Sequence, residues 1–542
     1  MSLLLDLGMN NILRNTLLLV LAIATTMGNA YATHTKPRLI VNIVVGTMRS
    51  DDIERYGDNF THDGFRRIMR DGACYTEASY DFSNIAPATT LSTIATGAHP
   101  SDHGAISDYW WSYADGACVS LIEDKKSHPI PFSTGSGSYS AHRLIAPTMG
   151  DMLLSNNTES KQFTIAIDPL SAILLNGKHG TPIWAETNQT DWTTSSAFAS
   201  AIPAWLERYN RDNVNKRYAL SRWTPLYKAS MYKNAEVAVL EGINNKHTKL
   251  LSNINLRLSE SEYGHMCYTP AGNTMLLKLA ATIIEKEALG IDDNTDILNI
   301  CLDSARYIAE TYGPESMEYE DMLYRLDRDI NEFLDTLYGN ASNNSHIMVV
   351  VTSAHGTSPS YNPVEKMERE RFNTRQMEVM VNAYVSAHHG SDNYILGYNN
   401  KAIYLNHKAI YERKLSVDDI RDEVAVFLLQ MRGIATARSA TALRNSAFME
   451  GRARLMQHGF YASRSGDVII DFMPGWIIES FSFRSSAVGG YIYDRHVPLM
   501  IYGGGIKQKV YTEHVDMSWL APTICRIIGI DAPWSSEGIV LP

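Results

Sequence analysis

A single histidine follows a strongly apolar stretch, at a position where many enzymes carry a catalytic or metal-binding side chain. The stretch VVVTSAHG, residues 349–356, is rich in β-branched residues and ends in Ala354, His355 and a glycine. It predicts a buried strand that ends just before the histidine. Ligands bind at the carboxyl ends of strands in open α/β sheets. His355 is therefore a candidate for an active site or its remnant, the alternative being a buried, hydrogen-bonded histidine.

The five cysteines of the chain form no local metal-binding motif. The cysteines Cys74, Cys118, Cys267, Cys301 and Cys525 contain no CxxC pair and no zinc-finger spacing. The net charge of -11 argues against nucleic-acid binding, because phosphate backbones select for basic surfaces.

Strands and helices alternate along most of the chain. Strands are predicted at 38–45, 163–167, 347–352 and 497–502, and helices at 63–71, 88–95, 147–154 and 319–338. This alternation is typical of an α/β fold with a doubly wound, mostly parallel sheet sandwiched by helices. We expect one domain over 33–542, with cap-like insertions at roughly 180–290 and 357–485.

The first 32 residues have the pattern of a signal peptide. A short basic region precedes an apolar core at 17–24 that is too short to span a bilayer, and Ala30-Tyr31-Ala32 fits a cleavage site. We expect an exported chain that begins near Thr33, lies in a periplasm or cell envelope and has no transmembrane span. The alternative is an uncleaved anchor.

Several phrases, in order and over nearly the whole mature chain, resemble the alkaline phosphatase superfamily. They resemble especially the threonine-nucleophile alkaline phosphatases related to nucleotide pyrophosphatases and phosphodiesterases. The phrases include RLIVNIVVGTMRSDDIERYGDNF, STIATGAHPSDHGAISDYWW, TYGPES, VVVTSAHG, YIYDRHVPLMIYGGG and VDMSWLAPTICRIIGI. The resemblance implies an alkaline phosphatase-like fold whose strand ends hold two zinc ions about 4 Å apart.

The metal ligands of that family are mostly replaced in this chain. Aligned by the flanking phrases, the six ligand places hold Gly46, Arg306, Glu310, Ala354, His355 and Ala487. His355 alone is retained in kind, and Glu310 could serve chemically. One imidazole and one carboxylate cannot offset the repulsion between two zinc ions. We therefore predict no metal cofactor and a dismantled bimetal site.

The nucleophile of the family is also missing. Counted back from Thr96-Gly97 without a gap, the position of the nucleophile holds Pro87. If the AP dipeptide of the family motif is aligned with the AP of this chain instead, that position holds Ile85. Neither residue has a hydroxyl group. Thr89 and Thr90 lie two and three residues beyond Pro87, so they are only possible substitutes.

The resemblance further implies changes in the groups that grip the substrate phosphate. Asp108 stands where the family has asparagine, and Asp168 and Leu170 stand where it has lysine and arginine. Arg306 and Glu310 are four residues apart and share one face of a helix. Buried acids need partners, so we predict that Arg306 pairs with Glu310, Asp108 or Asp168. The alternative is that Arg306 is free and grips an anion such as phosphate.

These features favour a non-catalytic or repurposed alkaline phosphatase homologue that binds an unknown protein or small molecule in the cell envelope. The alternative is a metal-dependent phosphomonoesterase or phosphodiesterase with a rearranged site that uses Thr89 or Thr90, His355 and Glu310. A third possibility is a carbohydrate or peptide binder that uses the first insertion.

Overall fold

Apolar and β-branched runs form the strands of a large mixed sheet. The computed structural model describes residues 36–131, 137–186, 191–219, 223–234, 266–339, 346–359, 371–478 and 489–542. The strands are β1 (Leu39–Val45), β2 (Ala73–Ser79), β3 (Tyr109–Ser112), β4 (Ala117–Ser120), β5 (Pro129–Ile130), β6 (Gln162–Ala166), β7 (Thr181–Ala185), β8 (Trp192–Ser195), β9 (Asp296–Leu302), β10 (Ile347–Ser353), β11 (Arg371–Phe372), β12 (Ile395–Asn399), β13 (Ala402–Leu405), β14 (Ile434–Ser439), β15 (Val468–Phe472), β16 (Ile477–Ile478), β17 (Leu499–Gly503) and β18 (Lys509–Asp516).

Helices fill most of the connections between these strands. They are α1 (Ser50–Tyr56), α2 (Phe65–Asp71), α3 (Pro87–Thr96), α4 (Pro100–His103), α5 (Met149–Asn156), α6 (Pro169–Asn176), α7 (Ala204–Arg211), α8 (Val214–Ala219), α9 (Ala271–Lys286), α10 (Ser304–Tyr312), α11 (Met317–Gly339), α12 (Thr374–His389), α13 (His407–Glu412), α14 (Val417–Leu428), α15 (Ala440–Asn445), α16 (Gly451–His458), α17 (Ile492–Arg495) and α18 (Leu520–Ile528). No helix in the described ranges is long and apolar enough to cross a membrane.

The main sheet has ten strands in the order β18-β2-β17-β10-β1-β9-β6-β7-β8-β5. Its centre, β10-β1-β9-β6-β7, is parallel throughout. Strand β17 runs antiparallel to β10 and β2, and β8 runs antiparallel to β7 and β5. The predicted α/β architecture is confirmed: a large mixed sheet with a parallel centre is flanked by helices.

Alternate side chains of β1 enter the two hydrophobic cores that flank the sheet. Val41 and Ile43 pack in a core with residues of α9 and α11, whereas Ile40 and Val44 pack in a second core with residues of α3, α6 and α18. This alternation follows from the two-residue period of a strand. Helices on both faces bury the central strand completely.

The stretches expected as insertions differ in their relation to this sheet. At roughly 180–290, β7 and β8 continue the main sheet and α9 packs against its core, so both ends of the range belong to the main fold. Residues 235–265 lie outside the described part. Within 357–485, the four-stranded sheet β12-β13-β15-β14 has a hydrophobic core of its own.

The main strands and the long helix match their predicted places to within a few residues, and local capping explains one shift. Helix α5 begins at Met149 rather than at 147, because the Thr148 hydroxyl accepts a hydrogen bond from the Asp151 backbone N–H at 3.1 Å. That contact makes Thr148 the residue that caps the helix.

Candidate functional site at the strand ends

The carboxyl ends of four neighbouring parallel strands meet at one edge of the sheet. Val45 of β1 pairs with Ser353 of β10 and with Leu302 of β9, and Ala166 of β6 pairs with Cys301. This register brings the residues that follow the strands into one region. They include Gly46, Asp168, Asp303, Arg306, Ala354 and His355.

Gly46 has no side chain, and this allows helix α10, which follows β9, to pack closely against it. A Cβ atom at this position would lie 3.0 Å from the Leu302 carbonyl oxygen and 3.1 Å from the Arg306 Cβ atom. These contacts are tighter than ordinary van der Waals distances. Arg306 therefore packs directly against the backbone at the end of β1, at the place where the family resemblance implies an aspartate.

Arg306 is paired with acids from two elements, as predicted. Its Nη2 atom donates a hydrogen bond to Asp168 Oδ2 at 3.0 Å, and its Nη1 atom lies 3.9 Å from Glu310 Oε1. The guanidinium also lies over the ring of Tyr307, with the Arg306 Cζ atom 4.5 Å from the centre of that ring. The side chains of Arg306, Asp168 and Glu310 are only 14%, 22% and 16% exposed, so this ion pair is largely shielded from water.

Asp303 is a further acid at this edge that the sequence analysis missed. Its Oδ2 atom accepts hydrogen bonds from the backbone N–H groups of Ile167 and Asp168 at 2.9 and 3.0 Å, and its Oδ1 atom accepts one from the Ser171 hydroxyl at 2.7 Å. Burial, followed by the charge of Asp168, raises the pKa of Asp303 to about 6. Its position directly after the apolar strand β9 is the same signal that marked His355.

Asp108 faces the same cluster from the loop before β3. Burial, reinforced by the charge of Asp168 and opposed by that of Arg306, raises its pKa to about 6. Its Oδ1 atom is fully shielded from solvent and has no hydrogen-bond partner. A shielded carboxylate oxygen without a donor is costly, and Asp108 contributes one such oxygen to the group.

The pKa of Glu310 changes for the same reason. Burial raises it, and the charge of Arg306 opposes the rise. The cluster therefore combines several carboxyl groups with a single guanidinium in a region of limited solvent access.

His355 is held as a neutral, buried imidazole. It is 3% exposed, and its Nδ1 atom donates to the Gly356 carbonyl oxygen at 2.6 Å. Burial, with a smaller contribution from the positive charge of Arg306, lowers its pKa to about 4. A neutral histidine with a protonated Nδ1 has a free acceptor at Nε2. The neighbouring Ala354 offers no polar side chain.

The hydroxyl groups near the expected nucleophile position support a helix terminus instead. Pro87 is the first residue of α3. Thr89 Oγ1 accepts from the Ala86 backbone N–H at 3.0 Å and lies 2.8 Å from the Asn84 carbonyl oxygen, and Thr90 Oγ1 donates to the Ala86 carbonyl oxygen at 3.0 Å. Both threonines are fully buried. Within the described ranges, no hydrogen bond joins either threonine to His355 or Glu310.

The side chains at the strand ends do not converge as a metal site would require. Among the residues that the structure describes, no group of three or more histidine, cysteine, aspartate or glutamate side chains is placed to hold a metal ion. Ala487, the remaining ligand place implied by the resemblance, lies outside the described residues.

Comparisons with known proteins agree with this architecture. The chain matches the family described as type I phosphodiesterase / nucleotide pyrophosphatase over residues 40–482. It is 28% identical to alkaline phosphatase PafA of Elizabethkingia meningoseptica, over 93% of each chain. It is 25% identical to alkaline phosphatase PhoV of Synechococcus elongatus, over 93% of this chain and 92% of that protein.

A solved structure supports the same relationship across the whole fold. The crystal structure of wild-type alkaline phosphatase PafA superposes with a TM-score of 0.83 at 26% identity, covering 93% of this chain and 98% of that one. The family match spans well over half of the chain. The protein therefore belongs to the type I phosphodiesterase / nucleotide pyrophosphatase family and has an alkaline phosphatase-like α/β fold.

Proposed function

We propose that this protein is a non-catalytic member of its family, a binding protein in which an internal ion-pair cluster replaces the two-zinc centre. The observation that carries the proposal is Arg306, which stands at a ligand place and pairs with Asp168 and Glu310. A guanidinium is always protonated and offers no lone pair to a metal. It would also repel a cation bound beside it.

The remaining donors do not fit two zinc ions. Gly46 and Ala354 have no ligand atoms, and Glu310 is engaged with Arg306. His355 alone offers an imidazole nitrogen. Zinc sites use several thiolate, imidazole or carboxylate ligands, and loss of most of them removes the site.

The environment of the threonines supports the same proposal. A nucleophilic hydroxyl must be activated by a nearby base or a metal. The Thr89 and Thr90 hydroxyls instead bond to backbone groups at the start of α3. In the part of the chain that the structure describes, neither hydroxyl forms a hydrogen bond with His355.

The second candidate function is a phosphoesterase with a rearranged site. It is favoured by the names of the relatives, several of which are alkaline phosphatases. On this alternative, His355 Nε2 and Glu310 would contribute to the reaction. The two candidates predict opposite results for zinc binding and for the effect of His355→Ala.

The proposed setting is the cell envelope, where a processed, exported chain would bind a protein or small-molecule partner. The proposal of export depends on the signal-like pattern at residues 1–32, which lie outside the described residues.

Turnover of a chromogenic phosphate monoester and diester separates the two functions. The purified protein is dialysed with and without zinc and compared with His355→Ala, with an active alkaline phosphatase as the positive control. We expect no zinc-stimulated turnover and the same background in both chains. Zinc-dependent turnover that disappears in His355→Ala would reject the proposal and favour the phosphoesterase.

A further inference from the structure

Two histidine rings stack where helix α16 meets the main body of the fold. His458 is the last residue of α16, and His99 immediately precedes α4. The centres of the two imidazole rings lie 4.4 Å apart, and the ring planes differ by 23°. The ring of Phe82 lies against His99, with the ring centres 6.3 Å apart. The stack therefore joins the helix that precedes β15 to the segment between α3 and α4.

The two histidines have different kinds of hydrogen-bond partner. His99 donates from Nε2 to Asp516 Oδ2 at 2.6 Å, and these side chains are only 6% and 5% exposed. His458 donates from Nδ1 to the Asp81 carbonyl oxygen at 2.9 Å. A carboxylate favours the charged form of a histidine, whereas a backbone carbonyl is satisfied by a neutral imidazole with its proton on Nδ1. The contacts therefore fit a protonated His99 and a neutral His458.

The charges around the stack favour one added proton rather than two. Burial lowers the pKa of His99, but the hydrogen bond to Asp516 and the charge of that acid outweigh burial and raise the pKa overall. Burial, followed by the charge of His99, lowers the pKa of His458, and the same two causes lower that of His103 to about 3. The titratable and charged groups that act on the pair come from β18, the loop after β2, α4, α16 and the C-terminal segment: Asp516, Asp81, His103, Arg454 and Glu537.

The nearby acids are already engaged with other basic groups. Asp516 accepts the hydrogen bond from the first histidine of the stack. Asp81 Oδ1 lies 3.3 Å from His514 Nε2 and 3.8 Å from Arg495 Nη1. Within the described ranges, His458 has no ion-pair partner of its own. A proton on His458 would therefore place a second positive charge against the first, and like charges at this separation repel strongly where water is limited.

We propose that His99, His458 and Asp516 form a histidine latch, which holds α16 against the main body at neutral pH and loosens in acid. A histidine that is free in water binds a proton below about pH 6.5. His458 binds that proton more readily when α16 has moved away from His99, so acidification favours the open form. His99 has the opposite effect, because its proton is held more tightly in the closed form. That effect is mostly complete at pH 6.5, before His458 titrates.

The histidine latch lies beside contacts that hold the loop before α3. The Ser83 N–H group donates to the Leu455 carbonyl oxygen of α16 at 3.0 Å, and Asn84 Nδ2 donates to the Gly459 carbonyl oxygen at 3.1 Å. A cavity of about 20 Å³ lies between these segments, so α16 is not closely packed there. Movement of α16 would release the loop that leads to Pro87, the nucleophile place of the family. This would occur with or without metal at the strand ends, so it is tested separately from the proposed function.

Hydrogen–deuterium exchange followed by mass spectrometry on the full chain tests the latch. Exchange of peptides that cover residues 451–459 and 81–86 is measured at pH 7.5, 6.5 and 5.0 and corrected for the intrinsic pH dependence of exchange. We expect protection of these segments to fall in acid. Between pH 6.5 and pH 5.0, the fall should be about fourfold or more relative to His458→Phe, the size given by a difference of one pKa unit between the open and closed forms. Peptides from β1 and β10 should keep their protection.

Two substitutions separate the charge of His458 from its shape. His458→Phe keeps a ring against His99 but takes up no proton, and His458→Asn keeps a donor for the Asp81 carbonyl oxygen. Both should abolish the loss of protection in acid. The matched control is His388→Phe, because His388 is exposed and also donates from Nδ1 to a backbone carbonyl oxygen, that of Tyr384, at 2.9 Å. This control should respond to pH as the wild-type chain does.

Three outcomes would overturn the inference. The first is unchanged protection of residues 451–459 in the wild-type chain between pH 6.5 and pH 5.0. The second is the same acid response in wild type and in both His458 variants, which would assign the response to other groups. The third is an equal loss of protection in β1 and β10, which would indicate acid unfolding of the whole chain. Each variant is first checked for cooperative thermal unfolding at pH 7.5, and the comparison between wild-type peptides decides the question even where a variant does not fold.

Discussion

Replacing Arg306 with alanine should destabilise the protein strongly at neutral pH. The change removes a guanidinium that lies 3.0 Å from Asp168 Oδ2 and 3.9 Å from Glu310 Oε1. It leaves two largely buried carboxylates without their counter-charge. Removing one partner of a buried ion pair costs about 3–5 kcal/mol. The acids are 22% and 16% exposed, so we expect a value near the lower limit, about 3 kcal/mol.

The loss should become smaller at acidic pH. Burial raises the pKa of Glu310, and Arg306 opposes that rise in the wild-type chain. Without Arg306, this pKa rises further. Once the solution pH is below it, the carboxyl group is neutral and needs no partner. The difference in unfolding free energy between wild type and Arg306→Ala should therefore be large at pH 7.5 and decrease towards pH 4.

Urea denaturation followed by tryptophan fluorescence measures this difference at each pH. The matched control is Arg55→Ala, which removes an exposed arginine whose Nη2 atom is 3.8 Å from Asp51 Oδ2. Because that pair is exposed to water, we expect a loss of about 0.5 kcal/mol or less. A loss at Arg306 no greater than at Arg55, or one that stays constant between pH 7.5 and pH 4, would refute the reasoning.

Three further predictions concern neighbouring features. Asp108→Asn should stabilise the chain at pH 7.5 by about 3 kcal/mol, since the rise in pKa from 3.8 to about 6 corresponds to that free energy. The gain should disappear below about pH 4, where the acid is protonated in both states, and an unchanged gain in urea titrations at pH 4 would contradict it. Thr89→Val should lower the free energy of unfolding by about 1–2 kcal/mol in the same assay, because the Thr89 hydroxyl forms hydrogen bonds with the backbone just before α3. A loss of esterase turnover without a loss of stability would instead indicate a catalytic hydroxyl. Mass spectrometry of the exported protein should find its first residue near Thr33, and an intact N-terminus in the membrane fraction would count against cleavage.

The fold could be predicted well because its elements depend on local patterns. The apolar run at β1 is buried throughout, and the helical spacing in α11 continues over 23 residues. The first and last residues of the helices are less predictable, because a single capping hydrogen bond, such as that of Thr148, fixes where a helix begins. The range at roughly 180–290 was harder still, since short strands β7 and β8 join the main sheet through pairings that leave little trace in the sequence.

The site could be predicted only in part. The pairing of Arg306 followed from helical spacing and from the cost of buried charge, and the structure confirms it with Asp168 and Glu310. The role of Asp303 was missed, because the two backbone N–H groups and the hydroxyl that donate to it come from a strand end and a helix more than 130 residues away in sequence. The close fit between Gly46 and Arg306 likewise depends on the register between β1 and β9.

The most direct test of the central claim is the zinc content of the purified chain. The protein is produced in medium that contains zinc, dialysed against metal-free buffer and examined by elemental analysis, with an active alkaline phosphatase treated in parallel. The replacement of ligand places by Gly46, Arg306 and Ala354 predicts far less than one zinc ion per chain. Two tightly bound zinc ions per chain would contradict the account.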